Sequence, residues 1–160
     1  MTIDKSEIVK LIIDQLRLDL SMLEQAVKIA RDTATHADCL GSSKYETMGL
    51  EASYLAQGQG TRLLEVERSL EYFKRLNSLE PAVTAGLSAL VVLQDEQGNQ
   101  QLLWLAAQAG GLKVLYGQMT VTVITVQSPI GRALIGRVAG DDIETSFSGK
   151  NRFYQILACY

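Results

Sequence analysis

From His36 to Tyr45 the chain reads His-Ala-Asp-Cys-Leu-Gly-Ser-Ser-Lys-Tyr. An imidazole, a carboxylate and a thiol fall within four positions, at His36, Asp38 and Cys39. His36 is the one histidine of the chain, and it reads as a surface or capping residue, since a metal site needs several converging ligands. Asp38 alone reads as a helix-end or turn-capping carboxylate. Hydrolytic metal chemistry needs carboxylates that act together. The chain has no paired carboxylate cluster of its own, which argues against a nuclease acting alone. Cys39 has only Lys44 nearby to favour its thiolate, so it reads as an inert thiol, with redox sensitivity as the alternative.

What positions this stretch is a pair of amphipathic segments. Before it, Val9, Ile12, Leu16, Leu20, Leu23, Val27, Ala30 and Ala34 recur at steps of three and four, one face of a long helix that Ser6-Glu7 suits as a start. After it, Tyr45, Met48, Ala52 and Leu55, then Leu63, Val66, Leu70 and Phe73, repeat the pattern. Gly41-Ser42-Ser43 is a turn signal between them. Ser42 or Ser43 can cap the second helix, and Glu46 completes a capping box with Ser43. Gln57-Gly58-Gln59-Gly60 interrupts the second stripe and reads as a local kink, or as a hinge for the tip. Two antiparallel helices of about 30 residues make a coiled-coil hairpin roughly 45 Å long, with its tip at about 35–45.

The hairpin occupies residues 1–77, and the boundary falls at Asn77-Ser78-Leu79-Glu80-Pro81. From 82 to 160 the pattern changes to short, β-branched apolar runs. Strands are expected at 88–93, 101–107, 119–127, 143–146 and 152–158. Asp95-Glu96-Gln97-Gly98-Asn99 is a hairpin turn, and Ala109-Gly110-Gly111 is another. Ser128-Pro129 opens a short helix over 130–135, with Pro129 at its first position. The expected fold class is α+β: a two-helix hairpin followed by a curved antiparallel sheet carrying one short helix.

Charge and composition narrow the classes. The 160 residues carry 15 basic and 18 acidic side chains, and the net charge of −3 argues against a free-standing phosphate-wrapping domain. Residues 1–80 hold 13 acids and 10 bases, whereas 81–160 hold five of each, so the acidic excess belongs to the hairpin. Two cysteines, Cys39 and Cys159, do not make a disulfide framework and read as free thiols in a reducing cytosol. No signal peptide or membrane-spanning run is expected, so no membrane partner is either.

Ser128-Pro129-Ile130-Gly131-Arg132-Ala133-Leu134-Ile135-Gly136, followed by Gly140-Asp141 and a terminal strand, resembles the C-terminal signature of the Gre transcript-cleavage factors. That pattern is Ser-Pro-hydrophobic-Ala-Arg-x-Leu-hydrophobic-Gly with a later Gly-Asp turn, and only Gly131 departs from it. The stretch from His36 to Tyr45 is similar to the family's tip, His-Gly-Asp-x-x-Glu-Asn-x-x-Tyr, with no gap. The resemblance covers the hairpin, the linker and the C-terminal half.

It implies an N-terminal coiled-coil finger and an FKBP-like C-terminal domain. Such a domain docks at the rim of the secondary channel of bacterial RNA polymerase, and the finger reaches toward the polymerase active site. There, two tip carboxylates help the polymerase hold a second Mg²⁺, a hard cation that takes oxygen ligands. Asp38 matches the first acid, while Gly41 stands at the second and Ser42 replaces the Asn. The implied function is a cytoplasmic elongation-factor-like protein whose cleavage stimulation is weak or absent. It binds no cofactor by itself, shares Mg²⁺ through Asp38 at most, and contacts nascent RNA only through the polymerase. Carried-over docking residues are Gln127, Ser128 and Pro129, with Gln127 where relatives have an acid or Asn. Arg132, Arg137, Lys113, Lys150 and Arg152 could add a basic face.

Two other classes stay in view. An FKBP-like fold invites prolyl isomerase activity, but Trp104, Tyr116, Phe147, Phe153, Tyr154 and Tyr160 read as core rather than pocket. A non-catalytic coiled-coil scaffold would use the same hairpin to bind another protein. Oligomeric state is open.

Overall fold

In the computed structural model, the backbone is described for residues 2–38, 43–76 and 79–160, and side chains for these except 34–56. Helix α1 runs Lys5–Asp38 and helix α2 runs Ser43–Lys74. The start of α1 differs from the sequence expectation. Asp4, not Ser6, caps it, because the Asp4 carboxylate accepts from the backbone N–H of Ser6 at 3.0 Å and of Glu7 at 3.4 Å. Ser6 instead donates its hydroxyl to the same carboxylate. Of the expected stripe on α1, Val9, Ile12, Leu16, Val27 and Ala30 are buried, and Leu20 and Leu23 are half-buried. On α2, Val66, Leu70 and Phe73 are buried. Ala34, Tyr45, Met48, Ala52 and Leu55 lie outside the described side chains, as does the capping box of Ser43 and Glu46.

Helix α2 continues through Gly58 and Gly60 without interruption. A Cβ at either position would meet nothing within 4 Å. We expect Gly58→Ala with Gly60→Ala to raise unfolding stability by about 1 kcal/mol per site, through helix propensity. Urea titration checks this; a loss of stability would show that the glycines serve the fold. A spin label at the tip with unchanged mobility in the same variant would count against a hinge.

The chain divides into two compact units, Asp14–Glu71 and a second that joins Met1–Ile13 to Tyr72–Tyr160. The change of pattern at 77–81 marks where helix gives way to strand, whereas the compact units divide within the two helices. Among the described residues the second unit holds strands β1 (Leu90–Asp95), β2 (Gln100–Ala106), β3 (Lys113–Tyr116) and β4 (Met119–Thr125). Helix α3 (Pro129–Leu134) and strands β5 (Asp142–Phe147) and β6 (Lys150–Cys159) follow. The strands form one sheet in the order β3-β4-β2-β1-β6-β5.

The sheet is mixed, which corrects the expected antiparallel one. Strands β2 and β4 run parallel, with Leu102 opposite Val121 and Ala106 opposite Thr125. Parallel neighbours normally need a long crossover. Here β3, absent from the sequence reading, replaces it. The chain leaves β2, passes one strand position outward, runs back along β3, and returns as β4 into the gap. The turn before β3 uses Ala109 at φ 64° and Gly111 at φ 92°, and the Gly111 N–H donates to the Val123 carbonyl at 2.8 Å. Strand β3 has four residues on the sheet edge, too short for a periodic signal.

Both faces of the central strands are buried, which is why β1 and β2 read as unbroken apolar runs. Val91, Leu93, Leu103, Leu105, Tyr154 and Ile156 share one core with Leu134 of α3. On the opposite face lies Trp104, fully buried, with the Lys5 ammonium 5.4 Å from its ring centre.

Candidate functional site

Gln127, Ser128 and Pro129, the residues for which the resemblance implies docking, lie in the turn between β4 and α3. Ser128 is the N-cap of α3, extended at φ −66°, ψ 157°, and Pro129 occupies the first turn. The Ser128 hydroxyl accepts from the Gly131 N–H at 3.1 Å and donates to the Thr125 carbonyl at 2.7 Å. The Ser128 N–H also donates to Thr125, at 3.1 Å. One serine thus ties the helix start to the end of β4, with Gln127 and Pro129 exposed on either side.

Gly131 is what lets this turn close. A Cβ there would sit 2.1 Å from the Thr125 carbonyl oxygen and 3.0 Å from both Ser128 Oγ and Val126 Cα. The one departure from the family signature is therefore a steric requirement of this chain's own turn.

The basic residues do not form a single face. Lys113 lies on edge strand β3, while Lys150 and Arg152 lie on β6. Four strand spacings separate β3 from β6, roughly 19 Å. Only Arg132 and Arg137 stay near the turn, and both are exposed.

The aromatic residues also divide differently from the expectation of a filled core. Trp104 and Tyr154 are buried, but Phe147 is 74% and Phe153 49% exposed. Phe147 ends the edge strand β5, and Phe153 lies on β6 beside it. The Tyr116 hydroxyl accepts from the Asp4 N–H at 3.0 Å. A cavity of about 310 Å³ at the end of this sheet is lined by Asp95, Glu96, Gln97, Gln101, Asn151, Arg152, Phe153 and Tyr154, a polar groove rather than an aromatic-lined pocket.

Asp38 ends α1, and Cys39, Gly41 and Ser42 lie outside the described residues, so the expectations for the tip side chains fall outside them too. Among the described residues no group of three His, Cys, Asp or Glu comes together. No described helix is long and apolar enough to cross a membrane.

Lys5 is the residue that sequence reasoning missed. It is buried at 6% exposure, and its ammonium donates to the main-chain oxygens of Glu80 at 3.1 Å and Tyr160 at 3.2 Å. Burial lowers its pKa from the ordinary lysine value, and the neighbouring Cys159 opposes that shift. Cys159 is a free thiol, pushed up by burial and eased down by Lys5. A lysine in the first helical turn carries no sequence signal of such burial.

No family model matches the chain. Its sequence is 28% identical over 139 residues to the transcription elongation factor GreA of Rhodospirillum rubrum, covering 87% of this chain and 82% of that one. It is 29% identical over 134 residues to GreA of Beijerinckia indica, covering 83% and 78%. By sequence the chain is similar to the GreA transcription elongation factors over most of its length. The solved GreA factor homolog 1 (Gfh1) of Thermus thermophilus aligns over 92% of this chain and 94% of its own, at 24% identity and a TM-score of 0.38. The likeness to the GreA factors rests on these sequence relatives.

Proposed function

We propose that this chain acts on bacterial RNA polymerase as a Gre-like elongation factor that reaches the secondary channel but stimulates RNA cleavage poorly. The observation that carries this reading is a hairpin of helices Lys5–Asp38 and Ser43–Lys74, bridged by only four residues, in a chain that aligns with GreA factors across most of its length. The turn at Gln127, Ser128 and Pro129 is the docking element, and the hairpin end is what enters. The protein is a cytoplasmic accessory of the polymerase rather than an enzyme.

The donor set at the tip supports weak cleavage. Asp38 is the one carboxylate between His36 and Tyr45, and Gly41 supplies no side-chain ligand. Mg²⁺ keeps several waters and needs its few protein carboxylates well placed. One carboxylate does not hold it unaided. A factor that occupies the channel without completing the metal site competes with relatives that do.

Stalled, backtracked polymerase complexes test the reading. The chain should co-purify with core polymerase, stimulate cleavage roughly a hundredfold less than a GreA factor, and inhibit GreA-stimulated cleavage when added in excess. Gly41→Glu should recover part of the deficit. Robust cleavage that Asp38→Ala abolishes would overturn the weak-cleavage reading. Absence of polymerase binding would favour the scaffold.

A further inference from the structure

The outer face of α1 carries a second apolar seam that the hairpin does not use. Leu18, Met22 and Ile29 are 55%, 63% and 59% exposed. Together with Gln15 and Gln25 they recur at steps of three and four, which is heptad spacing. The seam is also palindromic about position 20. Reversing the helix sets Leu18 against Met22 and Gln15 against Gln25, and the sequence continues the register by setting Leu11 against Ile29.

We infer that this seam binds a second copy of the same chain, with the two α1 helices antiparallel about a two-fold axis. Such an interface is self-complementary, as a two-fold dimer requires. The flanking charges agree with it. In this register Asp14 of each copy falls beside Lys28 of the other, giving two opposite-charge pairs, and Ser21 meets its own copy at the axis. Both Asp14 and Lys28 are exposed. A parallel arrangement would instead set Asp14 beside Asp19, twice, and is disfavoured. One like-charge meeting remains in the antiparallel dimer: Asp19 faces its own copy across the axis. Within each chain the Gln15 amide already donates to that carboxylate at 3.0 Å.

The dimer goes beyond the polymerase reading and does not need it. Where that reading also holds, the dimer covers the helix that would enter the channel and keeps the hairpin out; that consequence alone rests on it.

Sedimentation equilibrium of the full chain, without polymerase, is the test. The wild type should show a monomer–dimer equilibrium at concentrations up to about 500 µM. Met22→Lys should be monomeric, with unchanged circular dichroism because Met22 faces solvent in the free chain. Asp14→Lys or Lys28→Asp alone should weaken dimerisation about tenfold, since each replaces two attractive pairs by two repulsive ones. The double variant, or an equal mixture of the two single variants, should restore it. Positions 14 and 28 are roughly 21 Å apart on one helix, so such rescue can arise only between chains. Asp19→Asn should tighten the dimer. A wild type that stays monomeric across this range, a Met22→Lys variant that still dimerises, or a double variant as weak as the singles would overturn the proposal.

Discussion

Gly131→Ala should cost about 2–4 kcal/mol of unfolding stability, a large loss for so small a change. The new methyl carbon would lie 2.1 Å from the Thr125 carbonyl oxygen, which is backbone at the end of β4 and cannot rotate away. The start of α3 must therefore move. Thr125 also accepts the Ser128 N–H and hydroxyl, and Ser128 caps α3, so the movement strains the cap as well. Chemical denaturation measures the loss, and a stability within about 0.5 kcal/mol of wild type would show that the turn relaxes freely. The same variant should weaken co-purification with polymerase if the turn is the docking element. Gly131→Ser, with a larger side chain, should be at least as damaging. Alanine is what the Gre signature resembled by this stretch usually carries, and this chain's turn has no room for it.

Lys5→Ala should cost about 3 kcal/mol. It removes a buried stem and leaves the Glu80 oxygen without the donor that reaches it at 3.1 Å. The Tyr160 oxygen keeps the Leu90 N–H at 3.0 Å, so the loss there is partial. It also takes away the cation above the buried Trp104 ring. Lys5→Met keeps the stem and removes the charge, and should cost less than half as much, because burial already penalises the ammonium. The pH dependence separates charge from packing. A lysine whose folded pKa lies below its unfolded value of 10.5 is penalised in the fold wherever it is charged in both states. Its contribution therefore improves as pH rises from the folded pKa toward 10.5. The stability difference between wild type and Lys5→Met should move in favour of wild type across that alkaline window. A difference that stays flat with pH would mean that Lys5 is not held in a desolvated site.

These two residues mark where sequence reading stopped. Gly131 was visible as a departure from a pattern, but the reason for it is a contact with Thr125 six residues earlier in another element. Lys5 looked like an ordinary polar residue at a helix start. Its burial depends on Glu80 and Tyr160, which lie 75 and 155 positions away in the chain. The exposed seam of Leu18, Met22 and Ile29 was masked by the stronger stripe on the other side of the same helix.

Local pattern carried the rest. The two helices, the hairpin turn at Asp95–Asn99 and the Ser128-Pro129 helix start all follow from periodicity and turn chemistry that neighbouring residues impose on one another. Asp95 shows this within five residues, accepting from the N–H groups of Gln97 at 2.9 Å and Asn99 at 2.8 Å. Strand β1 was likewise legible from its apolar run. Which strand sits beside which was not. The parallel pairing of β2 with β4 depends on the chain skipping a place and returning along β3, a choice made by long-range packing rather than by propensity. Likewise Phe147 and Phe153 were expected in the core, because an aromatic residue does not announce whether its strand will be covered. Only the packing around the β5–β6 hairpin, which leaves both rings exposed, decides it.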